Sequence, residues 1–73
     1  MRHKDVKVGQ IYKLAYGALC FYKPESRVRV LEIGGTSYSG NYYPDWIKVR
    51  RVGDDTGHQH VYASELEEDF YGF

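Results

Sequence analysis

With 73 residues the chain has room for one domain, close to the size at which an apolar core alone can hold a fold. Its 10 Lys and Arg balance 10 Asp and Glu, which is not the net positive balance of a typical phosphate-binding domain. The single Cys20 excludes an intramolecular disulfide, and no stretch approaches the roughly 20 apolar residues of a membrane span, so the expectation is a cytoplasmic domain over 1–73 with flexible termini at 1–6 and 69–73.

Taken in chain order, Val8-Gly-Gln-Ile-Tyr-Lys-Leu14 alternates with the two-residue period of a half-buried strand, with Ile11 pointing inward. Ala15 to Tyr22 is apolar but interrupted by Gly17, which fits a wide loop or a second strand at Leu19 to Tyr22, and Pro24 ends regular pairing. Arg27-Val-Arg-Val-Leu-Glu-Ile33 is the clearest strand: Val28 and Val30 face inward, Arg27 and Arg29 outward, and the switch at Leu31 predicts a bulge. Trp46-Ile-Lys-Val-Arg50 alternates again, with Ile47 and Val49 opposite Lys48 and Arg50. Gly53 and Gly57 in the following turn favour positive φ and an antiparallel hairpin into His58-Gln-His-Val-Tyr62 as the last strand. Ser64 is placed to cap one helical turn through Leu66, with Glu67 completing a capping box.

The fold class that follows is mostly β: a single small SH3-like barrel of four to five antiparallel strands with a short C-terminal helical turn. Three segments carry a resemblance to SH3-like barrels, including the KOW-type barrels of ribosomal and transcription-elongation proteins. They are Val8-Gly-Gln-Ile-Tyr12 as the opening strand, Arg27 to Ile33 as a core strand, and Val61-Tyr-Ala-Ser-Glu-Leu66 as the closing strand and turn. The chain departs from the signalling SH3 pattern, which has a Trp-Trp pair and an acidic first loop for polyproline peptides. Trp46 stands alone here, so that ligand is not implied.

Such barrels are binding platforms, and the segment Gly34 to Trp46 supplies a candidate surface. It reads as a loop longer than a hairpin needs, and its Tyr, Ser, Gly and Asn content is that of contact loops in antibodies, where tyrosine brings amphipathic area at low rotamer cost. Tyr38, Tyr42, Tyr43 and Trp46 are the first candidates for partner contacts, joined by the basic Arg2, Lys4 and Lys7. Against this stands a packing role, with Trp46 and one tyrosine plugging an end of the core. A second set, Arg27, Arg29, Lys48 and Arg50, would track phosphates if the ligand were single-stranded nucleic acid, with neighbouring aromatics stacking on bases.

Other chemistry is thinner. His58 and His60 share one strand face and would need His3 or Cys20 to complete a zinc site; without a second two-ligand cluster, no metal or cofactor is expected. Cys20 as a nucleophile would need a pocket and an oriented base, and no carboxylate pair stands at catalytic spacing, so neither an enzyme nor a small-molecule substrate is expected. The end of the chain turns acidic and then aromatic, with Phe70, Tyr71 and Phe73 a frayed terminus or a short docking motif. Size, the absence of a catalytic set and the aromatic segment also resemble small phage-encoded proteins that bind bacterial host machinery, including RNA polymerase. That resemblance implies a protein-binding module acting on transcription, with a small nucleic-acid-binding barrel as the other reading.

Overall fold

The computed structural model describes residues 1–15, 26–54 and 56–68. After a single 3₁₀ turn at His3–Asp5, five strands follow: β1 (Ile11–Leu14), β2 (Arg27–Thr36), β3 (Tyr42–Arg51), β4 (Gln59–Val61) and β5 (Leu66–Glu67), with a second 3₁₀ turn, Ala63–Glu65, between the last two. All pair antiparallel in one sheet of order β4-β3-β2-β1-β5, so that the first strand joins the closing one to the long central hairpin. The fold is therefore the mostly β, five-stranded architecture with a short C-terminal turn that the strand pattern predicts. Among the described residues no helix is long and apolar enough to cross a membrane.

The core follows from the two-residue period of β2 and β3. Val28 and Val30 of β2 and Ile47 and Val49 of β3 are almost wholly buried, and they pack with Leu14, Val61 and Leu66 from β1, β4 and β5. Val6, just after the first turn, is buried in the same cluster and anchors the N-terminal segment there. The expected inward residue of β1 needs correction. Because Tyr12 stands opposite Val28 in the register, Tyr12 and Leu14 enter the core, while Ile11, opposite Arg29, is buried but does not join the central cluster. A buried tyrosine is tolerated because its hydroxyl finds partners: it accepts the Lys7 amide at 3.0 Å and lies 3.5 Å from the Asp5 carbonyl.

The bulge expected at Leu31 is present as a register shift between Val30 and Glu32. The segment from Gly34 to Trp46, which by composition reads as a long loop, is instead mostly strand: β2 runs on to Thr36 and β3 starts at Tyr42. The alternation is hidden by a second irregularity. Between the pairs Gly35↔Tyr43 and Ile33↔Ile47, β3 places Pro44, Asp45 and Trp46 against Gly34 alone. Proline has no amide hydrogen for a ladder and Gly34 takes φ +90°, so both sequence breakers mark a bulge and not the end of pairing. The tip is closed by the Ser37 amide on the Asn41 carbonyl, 2.9 Å, and the Gly40 amide on the Ser37 carbonyl, 3.0 Å.

The final turn is capped two positions earlier than expected. The Tyr62 amide donates to the Glu65 carboxylate at 3.0 Å, so Tyr62 and Glu65 fill the places assigned to Ser64 and Glu67, and the turn stops at Glu65 as β5 begins. Glu67 lies in β5, 3.9 Å from Lys13 across the β1–β5 pair. Gly53 and Gly57 both adopt positive φ, as the turn between β3 and β4 requires. The strand considered for Leu19 to Tyr22, the possible role of Cys20 and the Phe70-Tyr71-Phe73 motif all lie outside the described residues.

Candidate functional site

The outer face of the β2–β3–β4 sheet is where most of the candidate residues meet. Since Ile47 and Val49 turn inward, Trp46, Lys48 and Arg50 point outward from β3. Four rings form a row at one end of this face. Tyr43 stacks on Trp46 with centroids 4.5 Å apart and planes within 15°. His60 meets Trp46 at 4.9 Å, tilted by 37°, and His58 meets His60 edge-on at 5.3 Å.

The absence of a side chain at Gly35 makes room for this row. A Cβ there would come within 2.9 Å of His60 Nε2 and 3.1 Å of Trp46 Cε3. Next to it, Tyr42 lays its ring over Gly34, and Gly34 is buried beneath it. Tyr38, at the tip of the hairpin, is fully exposed, Tyr42 is 64% exposed and Tyr43 39%. The packing role open to Trp46 is thus met halfway: the ring is half-buried and stacked, but on the outside of the sheet and apart from the core cluster.

Cations continue the face away from the rings. Lys48 stands between Glu32 on β2 and His60 on β4, and Arg29 stands opposite Arg50. Arg27 pairs with Lys13 in the register and lies at the far end of the sheet. The N-terminal cations lie elsewhere. Lys4 and Lys7 line a cleft of about 470 Å³ with Asp5, Tyr12 and Glu68, and Arg2 lines a smaller one with Glu67 and Glu68. Charges separated along the sequence, basic first and acidic last, are brought side by side by the fold. His3 links this region to the hairpin, its Nε2 donating to the Pro44 carbonyl at 3.1 Å.

His58 and His60 are the two residues whose spacing would suit metal ligation. Among the described residues no group of three His, Cys, Asp or Glu side chains is placed to hold a metal ion. The place of His60 as the third ring of the aromatic row is not foreshadowed by the sequence. It arises from the β3–β4 register, Lys48↔His60, which no local pattern encodes. Arg51 as a companion of Arg29 and Arg50 is hidden for the same reason.

The surroundings of His60 fix a pH dependence. Partial burial pushes its pKa below the usual 6.5, His58 and Lys48 push it further down, and Glu32 opposes them. Protonation therefore favours the unfolded chain. The contribution is fully present above pH 6.5 and is lost as pH falls from there through the lower folded value. Urea midpoints measured from pH 7.5 to 5 should decline, and His60→Gln should flatten that part of the profile. An unchanged slope in the variant would remove His60 as its source.

Comparison of the chain with protein families, with curated proteins and with solved structures finds no match. The class of molecule defined so far is a small five-stranded antiparallel fold that carries an ordered aromatic row on the outer face of its sheet.

Proposed function

We propose that the chain is a non-catalytic module that binds a protein partner through the β2–β3 hairpin. The observation that carries this reading is the ordered aromatic surface: Tyr43 and Trp46 already stacked, Tyr42 seated on Gly34, and Tyr38 projecting at the tip. Trp and Tyr are the residues most enriched where interface energy concentrates. Holding them on paired strands lowers the ordering cost that a loose loop would incur on binding.

The finer reading is a regulator that works in the bacterial cytoplasm on the transcription machinery, with RNA polymerase as the partner to test first. It would act by occupying a surface of the enzyme or shifting its conformation. Arg2, Lys4 and Lys7 would border the contact, because His3 ties their turn to Pro44 in the bulge behind the hairpin tip. The test is titration of nuclease-treated, purified polymerase with the labelled protein. Replacing Tyr42 and Tyr43 together by alanine should weaken binding by roughly 30-fold or more, the scale of removing a hot spot, while the circular-dichroism spectrum stays native. Unchanged affinity would sink the hairpin as the contact surface, and lack of any binding would remove polymerase as the partner.

A further inference from the structure

At the end of the β2–β3 hairpin away from the tyrosines lies a surface of different chemistry. Arg29 and Arg50 stand directly opposite each other in the register, followed by Arg51 opposite Val28. A directly opposed like-charge pair is unfavourable in a sheet. Arg29 and Arg50 from the outer face, and Arg51 at the strand end, nevertheless line an open notch of about 250 Å³ together with Leu31 and the turn at Val52 to Asp54. Arg50 is held in place by its Nε donating to the Gly57 carbonyl at 2.9 Å, which leaves its two terminal nitrogens for another acceptor. Among the described residues no carboxylate lies within ion-pair distance of Arg29, Arg50 or Arg51, although Asp54 borders the notch; the ion pair that does form, Lys13 to Glu67, is on β1 and β5.

We propose that this notch receives phosphate groups of single-stranded nucleic acid. A planar guanidinium offers paired N–H donors that match a phosphate, and the opposed Arg29 and Arg50, with Arg51 at the strand end, bring more positive charge to the notch than Asp54 at its border offsets. Two ligand classes fit three arginines alone: a phosphodiester strand and an acidic peptide. The neighbourhood favours the first. From Arg50 the outward residues of β3 run through Lys48 to Trp46, at two-residue steps of about 6.8 Å. A strand with one phosphate in the notch would therefore pass a second cation and reach the ring row of Trp46 and Tyr43. Cations along a backbone track with rings for base stacking is the arrangement by which proteins hold single strands without reading sequence. The formal net charge of zero is compatible with this, because the cations concerned are local to one face. The site goes beyond the protein-binding reading and uses neither Tyr38 nor Tyr42.

The experiment is fluorescence anisotropy of a labelled oligothymidylate and oligouridylate, read at several salt concentrations, with a polyglutamate peptide of equal length as the competing ligand. The oligonucleotides are expected to bind with an affinity that falls as salt rises. In the Arg29→Gln, Arg51→Gln double variant, affinity should drop at least tenfold and the log–log salt slope should shrink by about 0.7 for each phosphate that is no longer neutralised. The glutamines relieve a like-charge pair, so the variant is expected to keep the wild-type unfolding midpoint. Tyr42→Ala should keep oligonucleotide affinity, which separates this site from the hairpin tested for the protein partner. Absence of oligonucleotide binding at low salt, equal affinity in the double variant, or tighter binding of polyglutamate would each overturn the proposal.

Discussion

Gly34→Ala is expected to destabilise the protein by about 2–3 kcal/mol, the sum of two separate effects. The first is backbone strain: Gly34 sits at φ +90°, where an L side chain costs about 1–2 kcal/mol. The second is the displacement of Tyr42, whose hydroxyl and ring carbon Cζ occupy the place a Cβ would take. Gly40, at the tip of the same hairpin, separates the two. It has almost the same φ, +91°, but nothing lies within 4 Å of its would-be Cβ, so Gly40→Ala should cost the strain alone. For a domain of this size each kcal/mol lowers Tm by roughly 4–8 °C, which makes the difference between the two variants measurable by thermal unfolding. In a Tyr42→Ala background the excess cost of Gly34→Ala should vanish, giving a coupling of about 1 kcal/mol. Equal destabilisation by Gly34→Ala and Gly40→Ala would show that Tyr42 is not seated on Gly34 and would remove the ordering argument for the hairpin.

That same bulge explains where the sequence is legible and where it is not. Arg27 to Ile33 announces its strand, its inward valines and its irregularity at Leu31, because strict alternation is a local property and a single slip in it is visible. Trp46 to Arg50 is legible for the same reason. The stretch before it is not, since Gly34, Gly35 and Pro44 are the residues that elsewhere terminate strands, and only the pairing of Gly35 with Tyr43 and Thr36 with Tyr42 reveals the ladder beyond them. In β1 hydrophobicity points to Ile11, whereas the orientation is set by the partner strand and by a hydroxyl that can be satisfied at Tyr12. The site divides likewise. Tyr43 and Trp46 stand out by composition, but their union with His60, and the convergence of Arg51 with Arg29 and Arg50, depend on registers between strands far apart in the chain.

The closing strand is the most vulnerable part of this architecture, and Leu66→Ala should be the most damaging single truncation. β5 consists of Leu66 and Glu67 alone, paired with Leu14 and Lys13 of β1. Two rungs of ladder are a weak hold, and the exposed ion pair between Lys13 and Glu67 adds at most about 1 kcal/mol. What fixes β5 is the side chain of Leu66, which is 0% exposed and lies in the central cluster with Leu14. A buried Leu→Ala change costs about 2–5 kcal/mol, against a total on the order of 4–11 kcal/mol for a chain of 73 residues. The variant should therefore lose a large fraction of its stability, seen as a fall in the urea midpoint with little change in slope. Glu67→Gln, which leaves the buried contact intact, should cost at most about 1 kcal/mol. Freed of β5, β1 would present an unpaired edge, so the truncated variant should also self-associate with rising concentration in sedimentation velocity runs. A Leu66→Ala protein as stable as Glu67→Gln would mean that the sheet closes without β5, and that the β4-β3-β2-β1 strands form the independent folding unit.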